Sequence, residues 1–416
     1  LTSLPSQRRA LMASNGSGAV SASTLEVATD VLFVSLLGAA AYQMGIINAL
    51  GSAAFLLLAV PIGVLVDRTH PLRILRLSQA ALILLISILL ALQITGVLTI
   101  WLGMVVVTLT GVCTTAIEAS RQALAPRLVE YGEARAAGIS GYVSRIASVD
   151  ETVRIIVPAA AGLVITAMGV PVLIGLSIAL LGIALIALSP VEHRGSMAPN
   201  TEAAENDAGT SPAQKGGFWG TLTSGFRELV ALPQLLAVTL LVAGTNAALG
   251  FGAAVEVIFL LEVLNLSPAL FGAAVSAGAV GGLLGALWGP WLMRRWEAPQ
   301  LMVAGTCGQI LAASFYVLAA FSPYPAAVGL VFAHSVLWGF AVVAASVATM
   351  GWAASIMPES HFARISTARR TLTMGMVPIA GLLGGLSGST LGIVTTLMIW
   401  PGITVSALLV YLALRR

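Results

Sequence analysis

The chain has 416 residues, of which 58% are hydrophobic and 9% charged, with a mean hydropathy of +0.97. An ordinary soluble domain carries about 25% charged residues, so these figures exclude a soluble enzyme, a secreted disulfide scaffold, a disordered chain and a coiled coil. What remains is an all-α membrane protein: a spanning helix takes about 20 apolar residues, which leaves room for about a dozen.

Twelve apolar segments follow in chain order, at 10–37, 42–66, 74–95, 98–125, 138–168, 170–190, 229–262, 267–293, 299–321, 325–356, 363–390 and 391–414. The long polar stretch between the sixth and seventh holds Glu202, Glu205, Asp207, Pro212 and Lys215 among small residues, the composition of a flexible linker. The predicted organisation is a six-helix bundle over 1–190, a cytoplasmic linker over 191–228 and a second six-helix bundle over 229–416. Arg8 and Arg9 precede a segment too long and too polar for a signal-peptide core, so no cleavable signal is expected. Cys113 and Cys307 sit in apolar stretches without disulfide or metal-ligand spacing, and no metal and no cofactor is expected.

The basic residues test the segment count. Eighteen of the 20 Lys and Arg residues fall at the two ends of the chain or on the even-to-odd connections, and the other two, Arg145 and Arg154, lie within the fifth segment. By the positive-inside rule both termini are predicted cytoplasmic. Dispersed basic residues also give no reason to expect a nucleic-acid partner.

The halves echo one another. Gly63-Val64-Leu65-Val66-Asp67-Arg68 after the second segment matches Gly289-Pro290-Trp291-Leu292-Met293-Arg294 after the eighth, an offset of 226. Pro158 to Gly162 matches Pro378 to Gly381 at an offset of 220. A duplicated six-helix unit explains both, and such repeats are common in secondary transporters, with the substrate site between the halves.

Gly63, Leu65, Asp67 and Arg68, followed by Arg73, resemble the signature of the major facilitator superfamily, Gly-x-Leu-x-Asp-Arg with further basic residues. His70 and Pro71 depart from it where a glycine and a basic residue usually stand. With the 6+6 layout the resemblance covers the whole chain. Residues Arg121 to Val129, and Arg369 to Leu372 with Pro378 and Gly381 to Gly385, are similar to the exporter branch that includes multidrug, macrolide and siderophore exporters. Pro158 to Gly162 resembles that branch's fifth-helix signature in degenerate form. The resemblance implies twelve helices in two pseudo-symmetric halves, with helices one, four, seven and ten around a central cavity. It also implies a cytoplasmic gate, here Gly63, Asp67, Arg68, Arg73, Glu118 and Arg121, with Glu118 as the candidate partner of Arg68.

Ionisable residues inside the segments follow that division. A charged group at mid-bilayer costs about 2.5–3.5 kcal/mol on insertion scales, so it faces a cavity or a partner. The first segment carries Glu26 and Asp30, the fourth Glu118 and Arg121, the seventh Glu256 with Glu262 near its end, and the tenth His334. The fifth adds Arg145, Asp150, Glu151 and Arg154, while the third, sixth, ninth and twelfth are free of interior charge. Glu26 and Asp30 are one helical turn apart, and Asn15, Ala19 and Ala22 continue their face. Two carboxylates so close in a low dielectric do not both ionise readily, which suits a proton carrier. Asp150 and Glu151 are spaced to neutralise Arg154 on their own helix, and Arg154 is alternatively a partner of Glu26, Asp30 or Glu118. Glu256, isolated on its helix, and His334, able to titrate near neutral pH, complete the candidate proton and substrate site.

The expected protein is a monomeric multi-pass secondary transporter of a bacterial inner membrane. It is expected to export small amphipathic or cationic molecules in exchange for protons. A siderophore or another anionic metabolite bound by Arg154 and Arg121 is the alternative within transport. A non-transporting receptor or scaffold is the alternative of another class, and intramembrane acids in both halves weigh against it. The sequence shows no nucleophile–base pair, phosphate loop or metal cluster, so an enzyme is not expected.

Overall fold

The computed structural model describes residues 4–124, 135–191, 218–358 and 362–415. Within them the chain forms thirteen α-helices and two π-helical turns. The first six are α1 (Leu4–Val31), α2 (Ala41–Arg68), α3 (Pro71–Ile94), α4 (Ile100–Leu124), α5 (Arg135–Met168) and α6 (Val170–Ala187). A shorter helix, α7 (Phe218–Val230), precedes the second six: α8 (Pro233–Ile258), α9 (Pro268–Arg295), α10 (Ala298–Ala319), α11 (Tyr324–Ile356), α12 (Phe362–Thr390) and α13 (Ile393–Leu414). Eleven helices are long and apolar enough to cross a membrane. The twelfth span is α2, 28 residues long with charge only at Asp67 and Arg68. The protein is an all-α membrane protein of twelve spans, as the apolar runs predict.

The span boundaries follow local chemistry. Pro71, Pro233 and Pro268 open α3, α8 and α9, where a missing N–H costs nothing. Gly169 and Gly392 lead into α6 and α13 with φ of 85° and 92°, a backbone region that favours glycine. They lie 223 residues apart, so the repeat extends to its turns. The final stretch of the expected linker is helical instead: Phe218–Val230 precedes the seventh span, which begins at Pro233 rather than at residue 229. Phe218, Leu222, Phe226 and Leu229 recur at helical spacing, and the residue before a proline is pushed out of the helical region. Residues 192–217 of that linker lie outside the described residues.

Twelve crossings return the chain to the end of the bundle where it began; the opposite end is called distal here. Within the first half α1 packs on α5 and α6, and within the second α8 packs on α12 and α13. Between halves the extensive contacts are α5 with α9 and α2 with α12. Both are tightest in the distal part. A Cβ on Gly45 of α2 would stand 2.6 Å from the Gly381 carbonyl oxygen and 2.9 Å from Gly385 Cα of α12. Gly162 and Gly272 leave no room for a Cβ against the backbone of Pro268 and Pro158. Ser276 Oγ accepts from Ala159 N at 3.0 Å and Ser389 Oγ from Tyr42 N at 2.9 Å. The small residues bring the two backbones close enough for these bonds.

The π-turns complete the seal. Leu32–Leu36 follows α1 and Phe259–Val263 follows α8, and the two touch. Leu32, Phe33, Val34, Phe259, Leu260 and Leu261 are buried, an apolar layer across the distal end. On the terminal side, α7 packs on α12, with Arg364 3.8 Å from Glu228.

Candidate functional site

A half-open cavity of about 560 Å³ lies within the first half, among α1, α3, α4, α5 and α6, and not between the halves on helices one, four, seven and ten as expected. It lies in the terminal part of the bundle, away from the sealed distal end. The polarity of α1 separates into two uses. Asn15, Ala19, Ala22 and Glu26 line the cavity, in agreement with the predicted face. Ser21 turns to α6 through reciprocal bonds: its Oγ donates to the Ser177 carbonyl at 3.0 Å, and Ser177 Oγ donates to the Ser21 carbonyl at 3.1 Å.

Five predicted residues meet on the cavity wall: Glu26, Glu118, Arg121, Asp150 and Arg154. Glu26 is accessible from the cavity though it sits deep in the bundle, and it lies close enough to Arg154 to feel its charge. Arg154 is exposed into this space. Asp150 accepts a hydrogen bond from Asn15 Nδ2 at 2.9 Å, which ties α5 to α1. Among the described residues no ion pair joins Asp150 or Glu151 to Arg154, so the same-helix neutralisation gives way to partners on α1. Glu151 is half-buried and is not on this cavity wall. Arg121 lies in the field of Asp150 and Glu118. Its Nη2 donates to the Ser14 carbonyl at 3.4 Å, and its guanidinium occupies the space left by Gly18, whose Cβ would stand 2.6 Å from Nη2. Arg121 Nε has no hydrogen-bond partner among the described residues.

Beyond the cavity, toward the distal seal, the acids of the two halves approach each other. Asp30 does not line the cavity; it is half-buried and feels the charges of both Glu26 and Glu256. Asp30 and Glu256 are 226 residues apart, the same offset as Gly63 and Gly289. Each stands one or two residues before the end of its α-helix and just ahead of a π-turn. They are repeat-equivalent acids beneath the apolar layer, and π-turns within helices recur at functional sites.

Glu256 belongs to a cluster on the second half that sequence reasoning met only in part. Tyr316 of α10 donates to Glu256 Oε1 at 2.7 Å. His334 stacks on Tyr316 with ring centroids 3.6 Å apart and on Trp338 at 5.7 Å. Its Nδ1 donates to the Ala312 carbonyl at 2.8 Å, so His334 is buried in an aromatic stack and is not on the cavity wall. Trp400 packs against Tyr316, His334 and Trp338, over the flat surface of Gly252 one turn before Glu256. Tyr316, Trp338 and Trp400 carry no charge and come from three helices, so charge mapping along the chain passes over them.

Of the expected gate residues, Glu118 and Arg121 line the cavity, whereas Gly63, Arg68 and Arg73 do not. Gly63 is half-buried with open space around it, and Arg68 and Arg73 are exposed at the α2–α3 turn. The Asp67 side chain and residues 125–134, which include Pro126 and Arg127, lie outside the described residues. Among the described residues no hydrogen bond or ion pair joins Arg68 to Glu118, which meets Gln122 Nε2 at 3.5 Å. Arg76 instead ties the halfway connection: its Nη2 donates to the carbonyls of Leu188 and Val191 at 2.7 and 3.0 Å, beyond the C-terminal end of α6, where the helix dipole favours a cation.

A bundle of twelve spans in two repeat-related halves, with charged side chains turned into an internal cavity, is the architecture of a membrane transporter. The chain belongs to the Major Facilitator Superfamily, whose model matches residues 11–382. Among solved structures it is similar to a bacterial homologue of the iron transporter ferroportin in the inward-facing state, at 13% identity over 100% of both chains and a TM-score of 0.74. It is similar to a variant of the nucleoside transporter NupG at 12% identity, covering 99% of this chain and 100% of that one, with a TM-score of 0.77. A bacterial homologue of the human lysosomal transporter Spinster, inward-facing and unoccupied, matches at 16% identity, with 100% and 98% covered and a TM-score of 0.67. At these identities the likeness concerns the fold. No match was found among curated protein sequences.

Proposed function

We propose that the protein is a proton-coupled secondary transporter that exports small amphipathic or cationic compounds by alternating access. The observation that carries the reading is the line of acids from the cavity to the sealed end: Glu26 on the wall, then Asp30 and Glu256 between the halves. A cation entering the cavity meets Glu26, whose charge is otherwise balanced by Arg154. Protonation of the acids and binding of the cation are competing ways of neutralising one site, and that competition is antiport.

In this reading 1–190 and 229–416 are the two rocking units, 191–228 joins them, and Gly63, Asp67, Arg68, Arg73, Glu118 and Arg121 form the terminal-side gate. The distal end is the outward side and both termini are cytoplasmic, in a bacterial inner membrane. The distribution of basic residues supports this orientation, and the closed distal end then corresponds to an inward-facing state. The chain acts as a monomer on a small-molecule substrate, with protons as the coupling ion.

The test is reconstitution in liposomes with an imposed pH gradient and a panel of cationic dyes, macrolides and siderophores. Gradient-dependent flux of a cationic compound is expected. Flux confined to anionic siderophores would reassign the substrate, and the absence of gradient-dependent flux across the panel would favour a receptor or scaffold.

A further inference from the structure

The two repeat-equivalent acids have unequal surroundings. Glu256 has a fixed donor, the Tyr316 hydroxyl at 2.7 Å. That hydroxyl is held in turn: the Tyr316 ring is 1% exposed, stacks on His334, and packs edge-on to Phe259 at 5.6 Å. His334 is itself fixed by its bond to the Ala312 carbonyl, one turn before Tyr316 on the same helix. Three helices and a π-turn therefore converge to place one O–H on one carboxylate oxygen. On the first half, by contrast, no hydrogen bond or ion pair reaches the Asp30 carboxylate among the described residues. The third acid, Glu26, has the Arg154 charge beside it.

We infer that Tyr316 is a positioning residue that makes the acid pair unequal, holding Glu256 as the fixed anion and leaving Asp30 to take up and release the proton. A buried carboxylate that accepts a hydrogen bond keeps its charge more readily than one that accepts none. Glu26 on α1 itself acts on Asp30 and Tyr316 from α10 meets Glu256, while Arg154 from α5 lies beside Glu26 and His334 from α11 stacks on Tyr316. Arg154 offsets Glu26, and Tyr316 serves Glu256. Asp30 has the two acids for charged neighbours, so of the three it gains most from a proton. Loading Asp30 removes the repulsion across the halves just beneath the apolar layer, which allows that end to close. Unloading it restores the repulsion and favours opening. The inference rests on the proposed proton coupling, and it specifies which acid does the work.

The experiment is infrared difference spectroscopy of the full chain in liposomes, titrated between acid and alkaline pH without any substrate. A protonated-carboxyl band is expected that disappears with pH, is lost in Asp30→Asn, persists in Glu256→Gln, and returns shifted in Asp30→Glu. Tyr316→Phe is expected to add a second titrating carboxyl band, because Glu256 loses its only hydrogen-bond donor among the described residues. That second band is absent from the Tyr316→Phe/Glu256→Gln double variant. A wild-type band that survives Asp30→Asn and vanishes in Glu256→Gln, or a Tyr316→Phe spectrum identical to wild type, overturns the assignment. Because no substrate is used, these outcomes are separate from those of the gradient assay, whose failure would instead remove the transport reading.

Discussion

Replacing Gly45 with alanine perturbs the distal seam at a point where nothing can move aside. The added Cβ would stand 2.6 Å from the Gly381 carbonyl oxygen, 2.9 Å from Gly385 Cα and 3.3 Å from Gly385 N. All three are backbone atoms on the opposite half, so relief requires α2 and α12 to separate. Overpacking of this kind costs about 1–3 kcal/mol. The cost applies to the distal-closed arrangement alone, since the seam parts when that end opens. It therefore shifts the closed-to-open ratio by a factor of about 5–150. Spin labels on Val97→Cys and Phe321→Cys report the distal opening, because these exposed residues lie on distal turns of opposite halves. Gly51→Ala, on the same helix and outside the proposed gate, is the control, as a Cβ there meets nothing within 4 Å. The Gly45→Ala distance distribution is expected to gain a longer component. A distribution indistinguishable from that of Gly51→Ala would refute the claim that this seam closes the distal end.

Further expectations concern single contacts. Ser21→Ala and Ser177→Ala each remove one of two buried reciprocal bonds. Each should cost about 1 kcal/mol in a denaturation midpoint, and the double variant about twice that; no loss in either would mean that the α1–α6 junction rests on apolar packing. Gly252→Ala places a Cβ inside the Trp400 ring and should cost about 1–3 kcal/mol, read as a lowered thermal midpoint, whereas Gly51→Ala, with open space around it, should not. Gly18→Ala meets the far end of the long Arg121 side chain, so stability should hold while the apparent affinity for a transported compound changes. An unaltered affinity would remove the Arg121 guanidinium from the substrate path.

The twelve spans were legible because their apolar runs are long and their flanking bases rare enough to map one by one. The cavity face of α1 was legible for a similar reason, since Asn15, Ala19, Ala22 and Glu26 repeat at helical spacing. The partition among the acids was not. Asp30 and Glu26 look equivalent along the chain, and only the packing sets them apart, with Glu26 on the cavity wall and Asp30 toward Glu256 of α8. The bond from Tyr316 to Glu256 joins residues 60 positions apart, and nothing in the local pattern near Tyr316 marks it. The offset of 226 between Asp30 and Glu256 is the offset between Gly63 and Gly289, so the repeat in the sequence pairs the two acids. The α7 helix was hidden by a polar composition on one side and by its closeness to the seventh span on the other.

The most direct test of proton-coupled transport measures both ions at once. Liposomes containing the protein receive a gradient of a cationic substrate found in the panel, with no initial pH difference and a pH dye inside. Substrate flowing one way should drive protons the other way, and Asp30→Asn should retain substrate exchange while losing the proton signal. Substrate flux without any proton movement in the wild-type protein would contradict the account.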